Sequence, residues 1–156
     1  MAFDGIPQVE TVLHPSDFSK ASDNAFAHAL AIALRSARLN NILVPVDREP
    51  SPDGALDLAA RAAEALGEGG VDVHLLHVGE RAPRLDPPEI PGVAWRSLVE
   101  RGEPVDVIVQ TAERVHADLV IMATEGRYGF VDALRGSTTE QVLRRVPCPL
   151  LAVPSR

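Results

Sequence analysis

Aromatic side chains are scarce, at 4% of 156 residues, while hydrophobic residues reach 46%. The core must therefore be built from Ala, Leu and Val rather than stacked rings. Basic charge is scarce too. Against 22 Asp and Glu stand 15 Lys and Arg, a formal charge of −7. That balance argues against sequence-independent DNA or RNA binding, which needs a basic footprint. It leaves room for a nucleotide, because a few backbone donors can hold a phosphate inside an acidic protein. The single cysteine, Cys148, excludes an intramolecular disulfide and a thiolate zinc cluster. Its setting, "VPCPLLAV", reads as a small buried core residue entering a strand. No apolar run approaches the roughly 18 residues of a membrane-spanning helix, and "MAFDGIPQVE" has neither a basic nor an apolar leader region. The expected setting is the cytoplasm, with no membrane and no nucleic-acid partner.

Short apolar runs alternate with helical periodicity. Strands are expected at 11–17 ("TVLHPSD"), 41–47 ("NILVPVD"), 71–78 ("VDVHLLHV"), 93–102 ("VAWRSLVERG"), 118–123 ("DLVIMA") and 149–154 ("PLLAVP"). Helices are expected at 22–38, 53–66, 104–116 and 137–146. Residues 79–92, "GERAPRLDPPEIPG", read as an irregular Pro-rich connection. Pro104 suits a first helical turn, and Ser137 with Glu140 has capping-box spacing. The unbroken "DLVIMA" run fits a strand buried on both faces. The alternation predicts an α/β domain with an open, mainly parallel sheet and helices on both faces.

A shift of 30 residues lays "TVLHPSDFSKASDNAFAHALAIAL" over "NILVPVDREPSPDGALDLAARAAE". Leu13 falls on Leu43, Pro15 on Pro45 and Asp17 on Asp47. The match is either two generic β–α units or a duplicated first unit.

The stretch "ATEGRYGFVDALRGST" (123–138) links an expected strand to an expected helix. Gly126 would let the backbone approach a phosphate. Gly136 and Ser137 either open a helix onto an anion or make a plain turn before a serine cap. Asp47, at the end of its strand, either accepts hydrogen bonds from ribose hydroxyls or caps its loop. Asp17 is its rival if residues 11–17 hold the centre of the sheet. His74 and His77 are three apart on a strand and point to opposite faces, a poor metal pair; one of them should be buried and hydrogen-bonded. Trp95 reads as packing. There is no GxxxxGK[ST] phosphate loop and no Ser/His/Asp set with a nucleophile elbow.

From residue 41 onward the chain resembles a universal stress protein domain. The resemblance rests on "ILVPVD", "HLLHV", "ADLVIMATEG" and "GSTTEQVLRRVPCPLLAVP". The ATP-binding branch of that family carries Gly-x2-Gly-x9-Gly-Ser/Thr. Here the frame reads Ala123-x2-Gly126-x9-Gly136-Ser137, with Ala in place of the first glycine and Gly129 as an extra. The Ala123 methyl is tolerable at negative φ and strained at positive φ. Glu125 would repel phosphate unless turned away, and Arg127 is the nearest base to offset it.

The resemblance implies an adenine-nucleotide site for ATP, compatible with Mg²⁺. Pro45, Val46 and Asp47 would stand at the nucleoside end, Val78 would be an adenine contact, and Met122 and Ala123 the other wall. Gly126, Gly136, Ser137 and Thr138 would hold the phosphates. It implies a regulatory or protective role with at most slow hydrolysis, and a homodimer joined through the last strand. Residues 1–40 resemble the opening β–α unit of a further such domain, so that 41–156 would be the complete second domain of a tandem chain. Two rival functions stand beside this one. The first is a dimerisation or interaction module of the same fold with the cradle unused. The second is an adenylyl-transferring enzyme, for which no SGGxDS-like or HIGH-like motif is present.

Overall fold

The structure, a computed structural model, describes residues 39–67, 69–124 and 137–155. The expected strand 11–17 and helix 22–38, and most of the glycine loop, lie outside the described residues. Among the described residues five strands and three helices follow in the order β1 (Asn41–Pro45), α1 (Asp53–Leu66), β2 (Val71–Val78), β3 (Val93–Glu100), α2 (Pro104–Arg114), β4 (Leu119–Thr124), α3 (Thr138–Leu143) and β5 (Leu150–Pro154). The strands form one sheet in the order β3-β2-β1-β4-β5, and every pairing is parallel. Among the described strands, Asn41–Pro45 holds the centre.

Residue chemistry explains the layers. In β4 the residues from Leu119 to Met122 are all buried, as the unbroken apolar run predicts. On one face Leu43, Leu76, Val120 and Met122 pack with Val105, Ile108 and Ala112 of α2 and Val142 of α3. Strand alternation turns Ile42, Val44, Leu119 and Ile121 to the other face, where α1 lies against β1 and β4. Small side chains let α1 sit close: Ala55, Ala59, Ala60, Ala62 and Ala63 are all buried.

Helix ends follow local chemistry. Gly67 closes α1, its N–H bonded to the Ala63 carbonyl at 2.9 Å. A Cβ at Gly67 would collide with the Val71 side chain and that same carbonyl, so close approach demands glycine there. Pro104 opens α2, and its apolar set Val105, Ile108, Val109 and Ala112 is buried. The helix stops at Arg114, two residues before the expected end. His116 then turns left-handed at φ 51°, and the Ala117 N–H reaches back to the Ala112 carbonyl at 2.9 Å. Ser137 caps α3: its hydroxyl accepts the Glu140 N–H at 3.2 Å, an interaction worth about 1 kcal/mol. α3 ends at Leu143, three residues earlier than expected.

β2 and β3 run parallel without a helix between them. Residues 79–92 make the crossing, and the Trp95 Nε1–H donates to the Pro88 carbonyl at 3.0 Å. Trp95 is thus half-buried and pins the Pro-rich segment as well as packing. β3, at the sheet edge, has no fully buried residue. β5 forms the opposite edge among the described strands.

Candidate functional site

β1 lies where the topology reverses. From β1 the chain proceeds to β2 on one side and later to β4 on the other, and in open parallel sheets ligands sit beyond the carboxyl ends of strands at such a point. The pairing is unequal on the two sides. With β2, β1 is paired along its whole length, from Asn41↔Asp72 to Pro45↔Leu76, and the Val46 N–H adds a bond to the Leu76 carbonyl at 2.8 Å. With β4 the pairs are Ile42↔Leu119 and Leu43↔Val120, and among the described residues the pairing stops there. The carboxyl halves of β1 and β4 therefore carry no ladder pair between them among the described residues.

Of the expected site residues, Pro45, Val46, Asp47, Val78, Met122 and Ala123 lie at or just past the carboxyl ends of β1, β2 and β4. Pro45 ends β1, half-buried, and Val46 follows at 5% exposure. Asp47 is exposed, and its Oδ1 accepts the Arg48 N–H at 2.7 Å, so the loop-capping reading of this side chain is realised. A carboxylate exposed to solvent still has acceptor positions to offer. Val78 ends β2, half-buried, opposite Glu100. Met122 and Ala123 are consecutive in β4, paired with Ala152 and Val153. Ala123 has no positive φ, and strand backbone suits any residue. The methyl that departs from the glycine frame is unstrained. Ser137 is the N-cap of α3, and Thr138 is its exposed first residue. Gly126 and Gly136, with Glu125, Arg127 and Gly129, lie outside the described residues.

Two features were not read from the sequence. Both histidines are buried, His74 at 9% and His77 at 8% exposure, where one was expected. Each has its own acceptor across the β1–β2 pair. His74 Nε2 lies 3.3 Å from the Asn41 Oδ1, and His77 Nδ1 lies 3.1 Å from the Val46 carbonyl oxygen. An amide or carbonyl oxygen only accepts, so the proton sits on the ring nitrogen in both cases. Burial lowers the His74 pKa below 6.5, with Asp72 opposing and Arg96 and Arg114 adding to the shift.

The second feature is Asp118, just before β4. Its Oδ2 accepts the N–H groups of Asn40 and Asn41 at 2.8 and 2.9 Å, and its own N–H donates to the Asn41 carbonyl at 2.8 Å. These bonds clamp β1 to β4 at their amino ends. Cys148 lies near the same carboxylate. It is half-buried beside the core rather than fully inside it, and burial, reinforced by Asp118, pushes its thiol up to about 12. Among the described residues no group of three His, Cys, Asp or Glu side chains is placed to hold a metal, and no helix is long and apolar enough to cross a membrane.

Comparison with known proteins agrees with this architecture. The universal stress protein family model matches residues 8–154. A universal stress protein of Methanocaldococcus jannaschii is 32% identical over 146 residues, covering 91% of this chain and 80% of that protein. The fold is similar to that of a universal stress protein from Archaeoglobus fulgidus, with TM-score 0.59 and 24% identity over 76% of this chain and 45% of that one. It is also similar to an Archaeoglobus fulgidus universal stress protein solved in complex with dAMP, with TM-score 0.52 and 19% identity over 74% of this chain and 98% of that one. With its parallel sheet and a family match spanning nearly its whole length, this chain belongs to the universal stress protein family.

Proposed function

We propose that a crevice between β1 and β4 binds an adenine nucleotide, ATP with Mg²⁺ in the first instance, and that the protein acts as a regulatory or protective nucleotide-binding protein. The observation that carries this reading is the end of the β1–β4 ladder at Leu43↔Val120, at the topological switch point, among the described residues. Val46 and Met122 supply buried apolar walls at 5% and 6% exposure, and the exposed Asp47 carboxylate can accept from ribose hydroxyls. The relative solved with dAMP supports an adenine nucleotide as the ligand class.

In this reading Pro45, Val46, Asp47 and Val78 meet the nucleoside, and Met122 and Ala123 form the facing wall. Gly126, Gly136, Ser137 and Thr138 hold the phosphates. Mg²⁺ would arrive bound to those phosphates, as it usually does, rather than in a cage of protein carboxylates. No base for water activation is part of the reading, so hydrolysis is slow. The protein would work in the cytoplasm, where ATP is abundant. Two copies would join through β5, at the sheet edge; sedimentation of a β5 proline variant tests this. We also assign residues 1–40 to the opening unit of a further such domain. Slower amide exchange at 41–47 than at 11–17 is the expected sign, and equal protection would remove that assignment.

Glu125, a carboxylate next in sequence to the end of β4, favours the rival reading, an interaction module that leaves the nucleotide site unused. An equilibrium titration of the folded protein with ATP and Mg²⁺, repeated with AMP, separates the two. Saturable binding below millimolar concentration is expected. No binding at millimolar ATP or AMP would leave the interaction module.

A further inference from the structure

We propose that His77 is a positioning residue for this site: its Nδ1–H, donated to the Val46 carbonyl, fixes the exit of β1 and so aims Asp47 into the crevice. The proposal rests on the reading that the crevice takes an adenine nucleotide. The geometry behind it is independent of that reading.

Val46 lies one residue past the end of β1, where the sheet ladder runs out. Its N–H is still held by the Leu76 carbonyl at 2.8 Å. Its carbonyl oxygen is held by His77 Nδ1 at 3.1 Å, inside the protein. Both faces of the residue that delivers Asp47 are thus tied to β2. The next residue, Asp47, is exposed and bonded to the Arg48 N–H, so nothing comparable anchors it from within. Its direction is set by the residue before it.

A second observation shows that the ring is built into this place. A Cβ at Gly79 would lie 2.5 Å from His77 Nε2, 3.2 Å from Cε1 and 3.3 Å from Cδ2. The Gly79 backbone has no left-handed φ that would itself require glycine. The three atoms nearest to where a side chain would go all belong to the imidazole. Gly79 in turn is fixed by its N–H to the Glu100 carbonyl at 2.8 Å. The ring is therefore wedged between the exits of β1 and β2, and Val78, the expected adenine contact, lies between His77 and Gly79.

The test compares H77L, which keeps bulk without a donor, with H77N, whose amide nitrogen stands where Nδ1 stood. Two readouts are taken on the full chain: affinity for ATP with Mg²⁺ and for AMP by calorimetry, and amide exchange at Val46 and Arg48. The His77–Val46 bond is present with or without ligand, so its loss weakens binding only by disordering Asp47, and the one hydrogen bond Asp47 would give the ligand sets the scale at about threefold to tenfold. H77L should bind about threefold to tenfold more weakly, with faster exchange at Val46 and Arg48, and H77N should stay close to the parent in both. If H77L does not fold, H77Q replaces it, because its amide sits one methylene too far out. Equal affinity in all variants would overturn the proposal, and so would a loss in H77N as large as in H77L. If the parent binds neither nucleotide, the proposed function fails and exchange decides the role of His77. Faster exchange in H77L alone upholds the hold on Val46; unchanged exchange refutes it.

Discussion

At its amino end the β1–β4 pair is stitched by Asp118, which takes two backbone N–H groups of residues 40 and 41 and returns one of its own. At its carboxyl end the same pair carries no rung beyond Leu43↔Val120 among the described residues, and the ladder of β1 continues with β2 only. The ionisable groups differ in the same way. Near the amino end His74 is held neutral by burial and Cys148 is held protonated. At the carboxyl end Asp47 stands in solvent. One strand thus has an end that is closed and serves stability, and an end that is opened and offers donors and acceptors.

The contrast is broken most strongly at Asp118. Asp118→Ala removes an ionised acceptor from two backbone N–H groups and should cost about 2–3 kcal/mol in denaturant unfolding. Nucleotide affinity should not change, since the clamp is at the far end of the strand. Gly79→Ala is the mirror experiment. The new methyl must displace the His77 ring, for a cost of about 1–3 kcal/mol, and here nucleotide affinity should fall as well. If both variants lose affinity equally, the two ends are not separate.

Two smaller effects sharpen the closed end. The folded pKa of His74 lies below its unfolded value near 6.5, so below about pH 6.5 the unfolded chain binds the extra proton first. Stability is full above that pH and falls as pH drops towards the folded pKa. His74→Gln should flatten this part of the pH–stability curve, measured by urea unfolding. Cys148, with its thiol pushed up to about 12, should react with a thiol reagent at pH 8 at least about a hundredfold more slowly in the folded protein than in urea. A fast native reaction would mean the amino end is open.

Most of the sheet was legible in the sequence because its signals are local. The apolar run of β4, the small-residue stripe of α1, Pro104 at the start of α2 and Ser137 at the cap of α3 each state their role within a few residues. The central place of 41–45 could not be read from the two similar segments. What was missed is long-range. Asp118 bonds residues 78 and 77 positions away, and His77 bonds a carbonyl 31 positions away. No local pattern marks an aspartate before a strand as a clamp. Strand alternation sends the two histidines to opposite faces and says nothing of whether either face is covered, which is why both proved buried. The site was legible as a set of residues at strand exits. That Ala123 is unstrained needed the backbone, and the phosphate end at Gly126 and Gly136 lies outside the described residues.

The most direct test of the central claim is a titration of isotope-labelled protein with ATP and Mg²⁺, followed residue by residue through backbone amide shifts. The account predicts saturable shifts at Val46, Asp47, Val78, Met122 and Ala123, with Asn40, Asn41, Asp72, His74 and Asp118 unmoved. Shifts confined to the amino-end residues, or none at millimolar ATP, would contradict it.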